Sequence, residues 1–285
     1  MLSQGRWEAK VSSPPCENPA EVELRAGRTR AKTAVQQTFE PDSRCVTAVA
    51  PSPNVSERTC AADILLLHYT GMPTAEGALQ WLCNPESKVS SHYFVDEDGK
   101  IWQLVPERLR GHHAGVSSWE GTTDINSRSI GIEIVNPGHE HGYRDFPGEQ
   151  IEAVIALCAD IVSRHRIRPT RVLAHSDVAP TRKQDPGERF PWEPLYEAGV
   201  GHWIAPVTIG EGALLQPGDS GAAVKAMQAA LKEYGYGIPT NGEFDELTTS
   251  VVSAFQRHFR PALIDGIADH STLRTLERLL ASRPA

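Results

Sequence analysis

The sequence predicts an α/β domain, a mixed sheet flanked by helices, followed by a small all-α domain of three helices. Two observations carry this. Between residues 61 and 205, short apolar or alternating runs of strand length are mixed with one long helix-spaced segment. After residue 212, three segments in succession carry helical spacing, separated by Gly-, Asn-, Asp- and Pro-containing connections.

Residues 1–60 are rich in Pro, Ser, Glu and Arg and lack sustained apolar periodicity. They read as a poorly ordered extension with at most a short helix around residues 33–39. Order is expected from DILLLHYT, whose unbroken apolar run suits a buried strand ending at His68. SHYFVDEDGKIWQLVP reads as a hairpin, because alternating apolar positions flank Asp98-Gly99, a favoured tight-turn pair. SIGIEIVN sets Ile130, Ile132 and Ile134 against Gly131, Glu133 and Val135, so Glu133 faces away from the isoleucines. GEQIEAVIALCADIVSRHRI has helical spacing at Ile151, Val154, Ile155, Leu157, Cys158 and Ile161 and stops before Pro169. RVLAH is a further short strand, expected to end on His175.

After FPWEPLYEAGVGHWIAPVTIGEG come DSGAAVKAMQAALKEYGYG, DELTTSVVSAFQRHF and DHSTLRTLERLL, each a helical pattern. The boundary is placed at residues 206–211, giving an α/β unit at 61–205 and a helical unit at 212–285. The trio has apolar spacing of its own, so the two units are expected to fold separately.

Composition narrows the function classes. A hydrophobic content of 40%, a charged content of 22% and a net charge of −8 describe an ordinary globular chain and argue against nucleic acid as a partner. No stretch approaches the length of a transmembrane segment. The first residues have no apolar core of the secretory kind, which predicts a cytoplasmic protein, another export route, or a true start elsewhere. Cys16, Cys45, Cys60, Cys83 and Cys158 are odd in number and never spaced C-x-x-C, so they read as reduced thiols.

The chemistry concentrates in VLAHSDVAPTRKQDPG. A single strand-end histidine is ordinarily structural. Here His68 and His175 both end apolar strands, and Asp185 sits on an Asp-Pro-Gly turn. Two imidazoles and a carboxylate suit Zn²⁺, and three protein ligands leave a fourth position open, which marks a catalytic metal. Glu133, a charge inside an apolar strand, is the candidate general acid/base; alone, such a residue is more often solvent-facing. Lys183 is placed to steady a developing oxyanion, against the alternative of a solvated loop lysine.

LLLHYTG, SSHYFVDEDGKIWQLVPE, HHAGVSSWEG, SIGIEIVNPG and VLAHSDVAPTRKQDPGERFPW together closely resemble the zinc-dependent N-acetylmuramoyl-L-alanine amidases of the type 2 amidase family, in order over residues 63–192. The resemblance implies that His68, His175 and Asp185 bind zinc, that Glu133 is the acid/base, and that Lys183 is the transition-state lysine. Tyr69, His92, His113, Trp119 and Asn136 lie in the matching motifs, which implies a place along the substrate groove. Two departures are visible: His112 stands where the family often has Trp, and Thr181 where it often has Gly. The C-terminal segments LLQPGDSGAAVKAMQAAL, GEFDELTTSVVSAFQRHF and DGIADHSTLRTLERLL resemble three-helix peptidoglycan-binding modules.

The implied activity is hydrolysis of the amide between N-acetylmuramic acid and L-alanine, with peptidoglycan or muropeptides as partners. A peptidoglycan-recognition protein of the same fold is the alternative; it is disfavoured because all three ligands and Glu133 are present. A serine hydrolase using His175 and Asp177 lacks a G-x-S-x-G nucleophile elbow. The wall module favours polymeric murein, whereas the missing leader favours cytoplasmic recycling of anhydro-muropeptides.

Overall fold

Short apolar runs, each closed by a polar loop or a helix, give this chain many small strands around one long amphipathic helix. The computed structural model describes residues 39–284. In chain order these form β1 (Ala48–Val49), β2 (Val55–Glu57), β3 (Ile64–Tyr69), α1 (Ala75–Leu82), β4 (Tyr93–Val95), β5 (Ile101–Gln103), β6 (Leu109–Gly111), α2 (Ile125–Arg128) and β7 (Ser129–Ile134). They continue with α3 (Gly148–His165), β8 (Val172–Ala174), α4 (His175–Val178), α5 (Trp192–Glu197), α6 (Ala222–Tyr234), α7 (Glu246–Phe259) and α8 (His270–Ala281).

Six strands make a mixed sheet in the order β1-β5-β4-β7-β3-β8, and β2 pairs with β6 in a separate ribbon. The hairpin expected around Asp98-Gly99 is β4–β5, paired antiparallel. β4, β7, β3 and β8 run parallel to one another. Along β3, Leu67 is level with Ala174 of β8, and His68 with Glu133 of β7.

The period-2 alternation of the strands sends their side chains to two faces. Leu65, Leu67, Ile130, Ile132, Ile134 and Val172 pack with Ile151, Val154, Leu157, Cys158 and Ile161 of α3. Ile64, Leu66 and Leu173 point the other way and share a cluster with Val224, Met227, Leu231, Val251, Phe255, Leu276 and Leu279 of the C-terminal helices. The C-terminal helices therefore cover part of the second face of the sheet, and α1 covers another part, packing Ala78 and Leu82 with Phe94 and Val135.

Three expectations are corrected. Residues 39–60, placed in a poorly ordered extension, carry β1 and β2, and β1 extends the main sheet beside β5. Their two- and three-residue strands are too short for a periodic signal, and the sheet edge supplies their partners. The rest of the extension, the proposed helix near residues 33–39 for the most part, lies outside the described residues. Second, β8 stops at Ala174, and His175 opens the turn α4. Third, the helical trio forms, with α7 and α8 capped by Asp245 and Asp269 as their N-terminal positions suggest, but it shares its core with the sheet. Periodicity marks an apolar face and does not say which surface covers it. Among the described residues no helix is long and apolar enough to cross a membrane.

Trp119 marks the junction. It is 1% exposed, meets the rings of Tyr234 and Tyr236 edge-on, and its neighbour Glu120 donates its backbone N–H to Gly235 O at 2.8 Å. Gly235 has φ 143°, and a Cβ there would lie 2.5 Å from the indole, so only glycine admits the ring. Truncating so large a buried side chain typically costs about 3–5 kcal/mol. Trp119→Ala should show a loss of that size in urea unfolding of the whole chain, as one transition rather than two; a loss below about 1 kcal/mol would mean that the junction contributes little.

Candidate active site

The site lies where the three parallel strands β3, β7 and β8 end, the usual ligand position in open α/β sheets. Register alone brings its parts together. His68 is paired with Glu133, and His175 follows Ala174, itself level with Leu67. Asp185 returns on the loop after α4, where Ser176 N–H donates to Asp185 O at 3.0 Å.

His68 Nδ1, His175 Nδ1 and Asp185 Oδ2 form a triangle with sides of 2.9, 2.9 and 3.0 Å, all three residues buried. The outer nitrogens are committed elsewhere. His175 Nε2 donates to Ala114 O at 3.1 Å, which fixes the tautomer and leaves Nδ1 a lone pair. His68 Nε2 lies 3.1 Å from His113 Nδ1, an acceptor for its proton when Nδ1 serves as a ligand. Burial, and secondarily the neighbouring His175, push the His68 imidazole down to about 4, so it is neutral at pH 7. Burial opposes ionisation of Asp185, but His175 and His68 outweigh it and hold the carboxyl well below the usual range. Two imidazole nitrogens and a carboxylate oxygen aimed at one point are what a divalent cation draws together; tetrahedral ligands at zinc bond lengths sit roughly 3.3 Å apart. The donor set fits a metal.

Glu133 is half-buried beside this triangle, and its Oε2 is buried without a hydrogen-bond partner among the described residues. Burial first, then the charge of Asp185, raise its carboxyl well above the usual range, with Lys183 acting against them. Such a carboxyl can carry a proton near neutral pH. Lys183 lines the same cleft, and no ion pair ties its ammonium among the described residues.

The cleft has a volume of about 370 Å³. Its lining includes an apolar set, Met72, Ala78, Trp81, Leu82 and Val89, and a polar set, His139, Glu140, Arg182, Lys183 and Gln184. Of the five groove residues implied by resemblance, Tyr69 and His113 line it. The Tyr69 hydroxyl meets His139 Nδ1 at 3.0 Å, and His139 Nε2 meets Glu188 at 3.1 Å. His113 stands edge-on to His68 in a space that Gly131 leaves open, since a Cβ on Gly131 would come within 2.6 Å of the His113 ring.

The other three lie outside the cleft. Trp119 is in the junction with the C-terminal helices. His92 is buried behind His113, accepting from Gly131 N–H and facing Leu109 O. Asn136 is buried and braces its loop, donating to Arg144 O and accepting from Gly138 N–H. Membership in a motif places a residue near a site in sequence, while the side each residue faces is settled by packing. Trp81 was missed. It is 48% exposed on α1, and its signal is an aromatic on the polar face of a short amphipathic helix just after HYTG.

Residues 58–188 match the family described as N-acetylmuramoyl-L-alanine amidase, and residues 220–276 one described as a putative peptidoglycan binding domain. The chain is 38% identical over 229 residues to the N-acetylmuramoyl-L-alanine amidase AmiD of Escherichia coli, covering 76% of this chain and 82% of that protein. The chain belongs to the N-acetylmuramoyl-L-alanine amidase family. Among solved structures, this amidase is similar to the E. coli AmiD complex with anhydro-N-acetylmuramic acid-L-Ala-D-gamma-Glu-L-Lys (TM-score 0.66, 35% identity, 81% of this chain and 91% of that one). It is also similar to AmpDh3 of Pseudomonas aeruginosa in complex with anhydromuramic pentapeptide (TM-score 0.63, 30% identity, 79% and 93%).

Replacing Glu133 by Gln keeps the shape and removes the proton carrier. Glu133→Gln should retain the metal and the wild-type fold by circular dichroism while amidase turnover drops by about 10²–10⁴. Turnover near wild type in metal-loaded protein would move proton transfer to another group.

Proposed function

We propose that this amidase cleaves the bond between N-acetylmuramic acid and L-alanine with one Zn²⁺ held by His68, His175 and Asp185. The observation that carries the reading is the convergence of two Nδ1 atoms and one carboxylate oxygen beside Glu133, whose Oε2 has no hydrogen-bond partner among the described residues. A bound Zn²⁺ supplies Lewis acidity at the scissile carbonyl and makes water more acidic. Glu133 takes a proton from the attacking water and returns it to the departing alanine nitrogen, so no net charge accumulates on the carboxyl over a cycle. The Lys183 ammonium stands in the cleft to meet the negative charge that develops on the carbonyl oxygen.

The two sets of lining residues suit two parts of one substrate. The Trp81 side offers an aromatic face and aliphatic neighbours to the C–H face of a sugar ring. The Arg182 and Lys183 side offers cations to the carboxylates of a stem peptide. Anhydro-muropeptides, the ligands of the two similar complexes, combine those chemistries in one molecule and are the substrate class we assign. The retained ligands and Glu133 argue for catalysis over recognition alone.

Metal analysis should find one zinc per chain, and chelation should abolish release of the stem peptide from an anhydro-muropeptide, with recovery on adding zinc. His68→Ala and Asp185→Ala should each lose the metal. Active protein free of zinc would sink the reading.

Trp81→Ala should raise KM for the same substrate about threefold to tenfold with little change in kcat, because a stacked aromatic contributes binding rather than chemistry. An unchanged KM would place the sugar elsewhere.

A further inference from the structure

The turn α4 presents His175 at its first position and Asp177 two residues later. Asp177 has no solvent exposure, and its carboxylate accepts three hydrogen bonds. One is local, from Ala174 N–H to Oδ2 at 2.8 Å. The other two come from the C-terminal unit: the Tyr236 hydroxyl donates to Oδ1 at 2.7 Å, and His258 Nδ1 donates to Oδ2 at 2.7 Å. Tyr236 follows α6 and His258 lies near the end of α7, so two separate elements of that unit grip one side chain.

The donors are themselves held. The His258 ring stacks on Trp192 with centroids 3.7 Å apart and on Phe259 at 3.8 Å. Tyr236 is fully buried against Trp119 and Phe255. One residue before His258, Arg257 reaches Gln184, the neighbour of Asp185, at 3.3 Å. Between Asp177 and His175, Ser176 N–H is bonded to Asp185 O. Force applied at Asp177 is thus carried by three consecutive residues to both His175 and Asp185.

We propose that the C-terminal helices, whatever they do at the cell wall, are a positioning element of the metal centre: Tyr236 and His258 hold Asp177, and Asp177 holds the turn that presents His175 and braces Asp185. These are positioning residues, since neither Tyr236 nor His258 belongs to the ligand triangle or lines the cleft. Without them a fully buried carboxylate keeps a single donor. It then draws the turn toward another donor or toward water, because buried oxygens left without hydrogen-bond donors are costly. Metal sites tolerate little such movement, and losing the groups that orient a ligand typically weakens metal binding about 10–100-fold.

The inference rests on the zinc reading above, and the experiment separates the two. In the full chain, zinc affinity is measured by competition with a chelator of known strength, alongside kcat and KM on a soluble anhydro-muropeptide and stability in urea. His258→Ala should weaken zinc binding about 10–100-fold and lower kcat with KM nearly unchanged. Tyr236→Phe, which removes one oxygen from an otherwise intact core, should shift both in the same direction by less, and it carries the test alone if His258→Ala does not fold. Leu279→Ala, a core truncation in α8, is the comparison: it should lower stability and leave zinc affinity as in the wild type. Wild-type zinc affinity and kcat in folded Tyr236→Phe and His258→Ala would overturn the proposal, as would an equal loss of zinc in Leu279→Ala. A wild type that holds no zinc refutes the metal reading instead, and the kcat comparison then decides the positioning role by itself.

Discussion

The parallel pairing of β3 with β7 on one side and β8 on the other is the constraint on which the site depends. Parallel strands end together at one edge of the sheet, and adjacent strands lie about 4.8 Å apart, so residues in register are brought close without any loop having to be long. His68 and Glu133 are register partners, and His175 follows the register partner of Leu67. A slip of one residue in β7 would turn Glu133 into the α3 core and Ile132 or Ile134 into the cleft. The isoleucines that pack on α3 therefore fix where the Glu133 carboxyl points, so the apolar core on one face sets what the other face presents.

That link explains how much was legible beforehand. Ile130, Ile132 and Ile134 alternate cleanly, so the side on which Glu133 lies could be read from the order of residues alone. His68, His175 and Asp185 stood out only as a set: one strand-end histidine is ordinarily structural, but two near strand ends with an aspartate on an Asp-Pro-Gly turn match the donor types of a metal site. Trp119 could not be placed this way. Its motif is shared with groove residues, yet its indole fills a hole made by Gly235, more than a hundred residues downstream. His92 and Asn136 misled for a related reason: both brace the backbone around the site and gain their partners only in the folded chain. β1 and β2 were invisible because a strand of two or three residues has no period, and its hydrogen bonds are supplied by β5 and β6.

The C-terminal unit shows where periodicity stops being informative. Its three helices were apparent in outline, with two of their Asp caps, but the apolar stripe of each helix has two claims on it. Part is spent inside the trio, and part on Ile64, Leu66, Leu173 and Trp119. The buried Asp177–His258–Tyr236 group lies on that boundary, a polar group inside an otherwise apolar contact. Polar groups in such places limit the ways two surfaces can mate, because sliding one past the other would leave hydrogen-bonding atoms bare.

The sharing of this core also bears on the order in which the molecule can be made. A ribosome releases the chain from its N-terminus, and units closed on themselves fold as they emerge. Here part of the second face of the sheet stays open after β8 has appeared, because the helices that share a cluster with Ile64, Leu66 and Leu173 come later in the chain, Leu276 and Leu279 about a hundred residues after β8. Until then Ile64, Leu66 and Leu173 form an apolar surface on a nascent chain, of the kind that chaperones bind. The turn that carries His175 and Asp177 meets Tyr236 and His258 at the same late moment, after the strands of the sheet have already emerged.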